Sequence, residues 1–115
     1  MTFAEKKQRA LALMAEKKMW RSNYAPPLMR LLWKLGVQIP PPPFMSFWLN
    51  MLSFGVFFGT VWGLFMWLTT WANEGYSVLM ALQSSLLAGV LFGFFMALFH
   101  YWRKRVNKLP DWNDL

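Results

Sequence analysis

The sequence has no cysteine and one histidine, His100. The first absence excludes disulfides, thiolate metal sites and a cysteine nucleophile. The second excludes a multi-histidine metal site within one chain. Acids are scarce, five against twelve Lys and Arg in 115 residues. No charge of either sign occurs in residues 44–72 or in residues 75–102, and only Asn73 and Glu74 separate the two stretches. There is no Ser/His/Asp set, no paired carboxylate and no phosphate-binding loop. The glycine spacing in the apolar stretches is no nucleotide fingerprint, because no strand precedes it. Neither catalysis, a cofactor nor a bound metal is expected.

What is present is apolar and localised. Hydrophobic residues make up 57% of the chain, high for a soluble domain. Each uncharged stretch exceeds the ~20 residues a helix needs to cross a ~30 Å bilayer core. Two such stretches joined by so short a connection predict a helical hairpin. The expected class is an all-α membrane protein: an antiparallel two-span hairpin preceded by two short amphipathic helices at the cytoplasmic surface.

Charge orients it. Residues 1–43 carry eight Lys and Arg against two acids, the turn carries Glu74 alone, and the tail carries four against two. Basic flanks and a non-basic turn are the positive-inside pattern for cytoplasmic termini. The basicity is read as affinity for anionic lipid headgroups rather than nucleic acid. Arg103, Lys104 and Arg105 at the exit of the second span are the named headgroup contacts. Trp48 and Trp102 at one level, with Trp67, Trp71 and Tyr76 at the other, are read as two aromatic belts. No secretory leader is expected, since residues 1–43 lack an early apolar run and no small-residue cleavage site follows Trp71.

Residues 1–39 form the basic N-terminal region. Thr2 and Glu5 have capping-box spacing, predicting a helix over residues 3–19 with Phe3, Ala10, Leu11 and Met14 on one face. That helix either lies in the membrane interface or packs on the next one. Arg21, Ser22, Asn23 and Tyr24 read as a connector. Pro26 and Pro27 open a second helix, residues 26–35, which Gly36 ends. Leu28, Leu31, Leu32 and Leu35 make one apolar stripe on it, expected to meet the bilayer surface, the first helix or another chain. Pro40 to Pro43 is expected to be a polyproline II spacer holding the surface helices off the membrane, an SH3-type ligand being the other reading. The hairpin occupies residues 44–103, with spans over 46–71 and 76–102. Residues 104–115 are a short cytoplasmic tail, expected to lack order unless it docks.

The spans carry stripes of small residues. Gly55, Gly59 and Gly63 lie on one face of the first; Ala81, Ser85, Gly89, Gly93 and Ala97 lie on one face of the second. Such positions let backbones approach closely in lipid, where no hydrophobic drive pulls helices together. With the turn at Glu74, Gly59 lies level with Gly89, Gly55 with Gly93, Gly63 with Ser85, and Met51 with Ala97. The stripes are therefore expected to pack on each other within the chain, service to a partner chain being the alternative. Among the few polar residues, His100 is read as a belt residue near the interface. Gln83, Ser84 and Ser85 are read as interhelical hydrogen-bonding groups.

The segment WRSNYAPPLMRLLWKLGVQIPPPPF, residues 20–44, resembles a family of small bacterial membrane proteins of unknown function. There, an RSNYAPP-like segment and an LLWKLG-like helix precede a proline-rich step and two membrane spans. The resemblance covers nearly the whole chain. It implies a bacterial inner-membrane location and carries no activity and no site residues. Residue pattern and resemblance lead to one expectation: a structural or regulatory membrane protein that self-associates or serves a larger membrane complex. The alternative is a homo-oligomeric pore lined by Asn50, Ser53, Thr60, Gln83 and Ser84.

Overall fold

The computed structural model describes residues 2–20 and 25–115; the connector expected at Arg21 to Tyr24 lies outside them. Regular structure among the described residues is helical throughout. The helices are α1 (Phe3–Glu16), α2 (Pro27–Lys34), α3 (Phe47–Thr69) and α4 (Val78–Val106). Short 3-10 turns occupy Pro42–Phe44, Trp71–Glu74 and Trp112–Asp114. The chain divides into two compact units: residues 1–46 with 100–115, and residues 47–99.

The first unit is built around a core of Ala10, Met14, Met19, Ala25, Phe44 and Leu109. Its α1 begins where the Thr2 side chain accepts a hydrogen bond from the Glu5 amide at 3.2 Å. It ends at Glu16, three residues before the periodicity suggests. Lys18 turns left-handed, φ 57°, and the amides of Lys18 and Met19 donate back to Ala15 and Met14 at 3.0 and 3.1 Å. This is a Schellman terminator with Lys where glycine is usual. At the end of α4, Lys108 does the same at φ 53°, with Leu109 donating to the Lys104 carbonyl. The end of α2 uses Gly36, φ 86°, as its position predicts. In the two Lys cases the residue after the Lys, Met19 or Leu109, is buried in the core. That burial offsets the backbone cost.

One expectation for this unit is corrected, and the condition set for the tail, that it dock, is met. The proline run is no exposed spacer. Pro41 is extended, φ −55° and ψ 149°, but Pro42–Phe44 closes a 3-10 turn, and Pro41, Pro42 and Pro43 are fully buried. Proline's fixed φ suits a first turn, where its missing N–H costs nothing, and the turn carries Phe44 into the core. The tail is also ordered. The Trp112 ring lies 5.6 Å from Phe3 and 6.2 Å from Phe44, Leu109 is buried, and Asp111 pairs with Lys104.

The second unit is the helix pair. At 1.5 Å per residue, the 23 residues of α3 run about 34 Å and the 29 of α4 about 43 Å, enough to cross a hydrocarbon core. Between them, Gly75 at φ 72° lets the Tyr76 amide reach the Trp71 carbonyl, 3.1 Å. Ser77 then caps α4, its hydroxyl accepting from the Met80 amide at 3.1 Å. Only 11% of the most apolar window of either helix is buried. The core helix of a soluble protein would be mostly buried.

Candidate functional site

Apart from Asn50 and His100, the buried positions of the helix pair are the small ones. Gly55, Gly59, Ala81, Gly89, Gly93 and Ala97 are buried, Gly63 and Ser85 are half-buried, and nearly every large aliphatic around them is exposed. The reason is backbone proximity. A Cβ placed on Gly55 would lie 2.8 Å from the Gly89 carbonyl oxygen, and one on Gly59 would lie 2.9 Å from that of Ser85. One on Gly89 would lie 2.6 Å from the Gly55 carbonyl oxygen. On Gly93 it would overlap the Met51 carbonyl, and on Gly63 the Ser85 hydroxyl. Real Cβ atoms do not approach backbone oxygens that closely, so most of these positions have no room for a side chain. Gly55 meets both Gly89 and Gly93, and Gly59 meets both Ser85 and Gly89. Gly55 and Gly59 thus each sit between two steps of the α4 ladder, while Gly63 meets Ser85 alone.

The two sides of this seam differ. On one, Phe58 stacks on Phe92 with centroids 4.3 Å apart. Trp62 meets Trp71 edge-on at 5.2 Å, and Trp71 stacks on Tyr76 at 4.8 Å. The Tyr76 hydroxyl shares a 3.1 Å hydrogen bond with that of Ser84. Trp71 is therefore buried in the turn rather than displayed in a belt, whereas Trp48 and Trp102 are exposed. None of these stacked rings lines the other side, where an apolar groove of about 940 Å³ runs between Leu52, Val56 and Leu64 of α3 and Leu82, Leu86 and Val90 of α4. Thr60 borders it.

Polar residues of the spans fall into separate places. Asn50 and His100 are buried, so His100 is not an exposed belt residue. Ser84 is engaged with Tyr76. Thr60 and Gln83 are exposed, and Ser53 is half-buried.

In the first unit the leucine stripe is split. Leu28 and Leu32 are half-buried, while Leu31 and Leu35 are exposed. The residues α2 turns inward are Met29, which is buried, and Trp33, which packs on the core. The Trp33 indole N–H donates to the Ile39 carbonyl at 2.8 Å, and the Lys7 ammonium lies 5.0 Å from its ring centre. The periodicity picks out the leucines; Met29 and Trp33, four apart, are the weaker signal that marks the inward face. The three cations named for headgroups have partners within the unit. Arg103 lies over the Trp102 ring at 5.4 Å, Lys104 pairs with Asp111, and Arg105 donates to the Tyr101 hydroxyl at 2.9 Å. Among the described residues no group of three His, Cys, Asp or Glu side chains converges as a metal site would require.

The chain matches the family of unknown function DUF6404 over residues 1–115 and belongs to it. No curated protein and no solved structure matches the chain.

Proposed function

We propose that this chain is a small, non-catalytic integral protein of the bacterial cytoplasmic membrane, with α3 and α4 as a two-span hairpin and both termini in the cytoplasm. Its role is structural or regulatory, exercised by self-association or as an accessory subunit of a larger membrane complex. The observation that carries this reading is the burial pattern of the helix pair: glycine inside, Leu, Val and Phe outside. Exposing that much apolar surface is unfavourable in water and neutral in lipid. The close-packed small-residue seam holds the hairpin together, which leaves its outer faces and groove for neighbours. All twelve Lys and Arg lie outside residues 47–99, and that supports the orientation.

The pore reading is weaker. Of its proposed lining, Asn50 is buried and the Ser84 hydroxyl is taken by Tyr76, so Thr60 and Gln83 are the exposed polar groups left to it.

The absence of cysteine makes the test clean. A membrane-impermeant maleimide added to intact cells should modify an Asn73→Cys variant and reach a Lys17→Cys variant only after lysis. The reverse pattern overturns the orientation, and equal labelling of both before lysis overturns the spanning hairpin. Native mass spectrometry of gently extracted protein then separates the two roles. A closed homo-oligomer means self-assembly, and one copy bound to a larger protein means an accessory subunit.

A further inference from the structure

We propose that α2 is an interfacial anchor, whose outward face inserts into an anionic phospholipid leaflet; this rests on the membrane reading above. A helix on a globular surface normally turns its apolar face in and its polar face out. Here Met29 and Trp33 point inward, and the opposite side of the helix bears Leu31 and Leu35, 52% and 70% exposed. Val37, just past the Gly36 terminator, extends the apolar surface at 39% exposure. The inward face is fixed by the Trp33 hydrogen bond to Ile39 and by Lys7 over its ring, so the leucines have no route into the core.

The charge beside them selects the partner. Arg30 and Lys34 are exposed and four residues apart on α2, and α2 contains no acid. Leucines flanked by cations at helical spacing match a headgroup boundary, with the aliphatic side chains below the phosphates and the cations level with them. The unit as a whole fits the same partner. Residues 1–46 and 100–115 hold all twelve Lys and Arg and four of the five acids. An acidic protein surface would satisfy the cations but would not call for two exposed leucines beside them.

The full chain, reconstituted in vesicles, supplies the test. A fluorophore on a Gln38→Cys variant sits beside the proposed face, and one on a Leu64→Cys variant sits on α3. Quenching by nitroxide-bearing lipid is compared in phosphatidylcholine and in an equal mixture of phosphatidylcholine and phosphatidylglycerol. The expected result is quenching of the Leu64 label in both vesicles and of the Gln38 label in the anionic ones alone. Leu31→Glu with Leu35→Glu should abolish the latter. Arg30→Gln with Lys34→Gln should lower the docked-to-undocked ratio on the order of tenfold, the worth of two interfacial cations after screening. A Gln38 label unquenched in both vesicles, with Leu64 quenched, overturns the anchor, leaves the hairpin standing and assigns the leucines to a protein partner. Equal quenching of Gln38 in both overturns the charge-directed anchor. An unquenched Leu64 label overturns the membrane reading, and the anchor with it.

Discussion

In residues 1–46 and 100–115 the buried side chains include Met14, Met19, Met29, Phe44 and Leu109, and Glu5, Glu16, Lys17, Arg30 and Lys108 face outward. In residues 47–99 the order inverts. Gly55, Gly59, Gly89 and Gly93 are buried, while Leu52, Phe65, Leu68, Leu79 and Phe95 face outward. One chain thus follows two packing rules. Where water is the solvent, large apolar groups are driven inward at about 25 cal/mol per Å². Where lipid is the solvent that drive vanishes, and close backbone approach decides what is inside. This inversion is what the proposed membrane placement of α3 and α4 calls for.

The largest expected effect tests the inverted rule at its tightest point. Gly93→Leu would thrust a side chain into the Met51 carbonyl and into the Gly55 backbone 3.0 Å away. Backbone cannot swing aside as a side chain can, so we expect a loss of about 3 kcal/mol or more, read as thermal unfolding in mild detergent. Gly59→Leu and Gly89→Leu should follow closely, and all three should abolish assembly. Leu64→Ala, on the exposed face, should cost less than about 0.5 kcal/mol. Equal losses from all four would mean that the seam does not hold the pair.

The next comparison makes the same kind of truncation in both units. Met14 is fully buried, and Met14→Ala should cost about 2–4 kcal/mol through lost burial and the cavity left behind. Faster tryptic cleavage at Lys17 and Lys18 would report it. Leu68, 75% exposed, should tolerate Leu68→Ala within about 0.5 kcal/mol. A loss at Leu68 matching that at Met14 would show that this face is covered in the assembled protein.

Much of the fold is legible in the sequence because its signals are local. Thr2 caps α1, Gly36 ends α2, and the uncharged stretches set α3 and α4. What is not legible depends on distant partners. Nothing near Trp112 announces that it will dock on Phe3 and Phe44, and the tail's order follows from that contact. Periodicity marks Leu28, Leu31, Leu32 and Leu35 as one stripe but cannot say that Met29 and Trp33 take the inward face. The proline run suggests an extended spacer because its sequence does not show the core into which Phe44 turns. Lys18 and Lys108 carry no residue-type signal for a helix end; the burial of Met19 and Leu109 selects those conformations.

The smallest effect separates two reasons for having glycine, one in each unit. A Cβ on Gly93 meets backbone, whereas one on Gly36 meets nothing within 4 Å. Gly36 is required by its dihedral, φ 86°, and not by space. Gly36→Ala should therefore cost only about 1 kcal/mol, the penalty of a Cβ in the left-handed region. Lys18 occupies the same kind of position at φ 57° and already bears that penalty, so Lys18→Gly should stabilise the first unit by up to about 1 kcal/mol. Lys18→Ala, which removes the charge and keeps the Cβ, should change little. Thermal unfolding of the three variants gives the order Lys18→Gly above Lys18→Ala above Gly36→Ala. If Lys18→Ala stabilised as much as Lys18→Gly, relief of repulsion among the lysines would be the cause, and the backbone would not set the cost of that helix end.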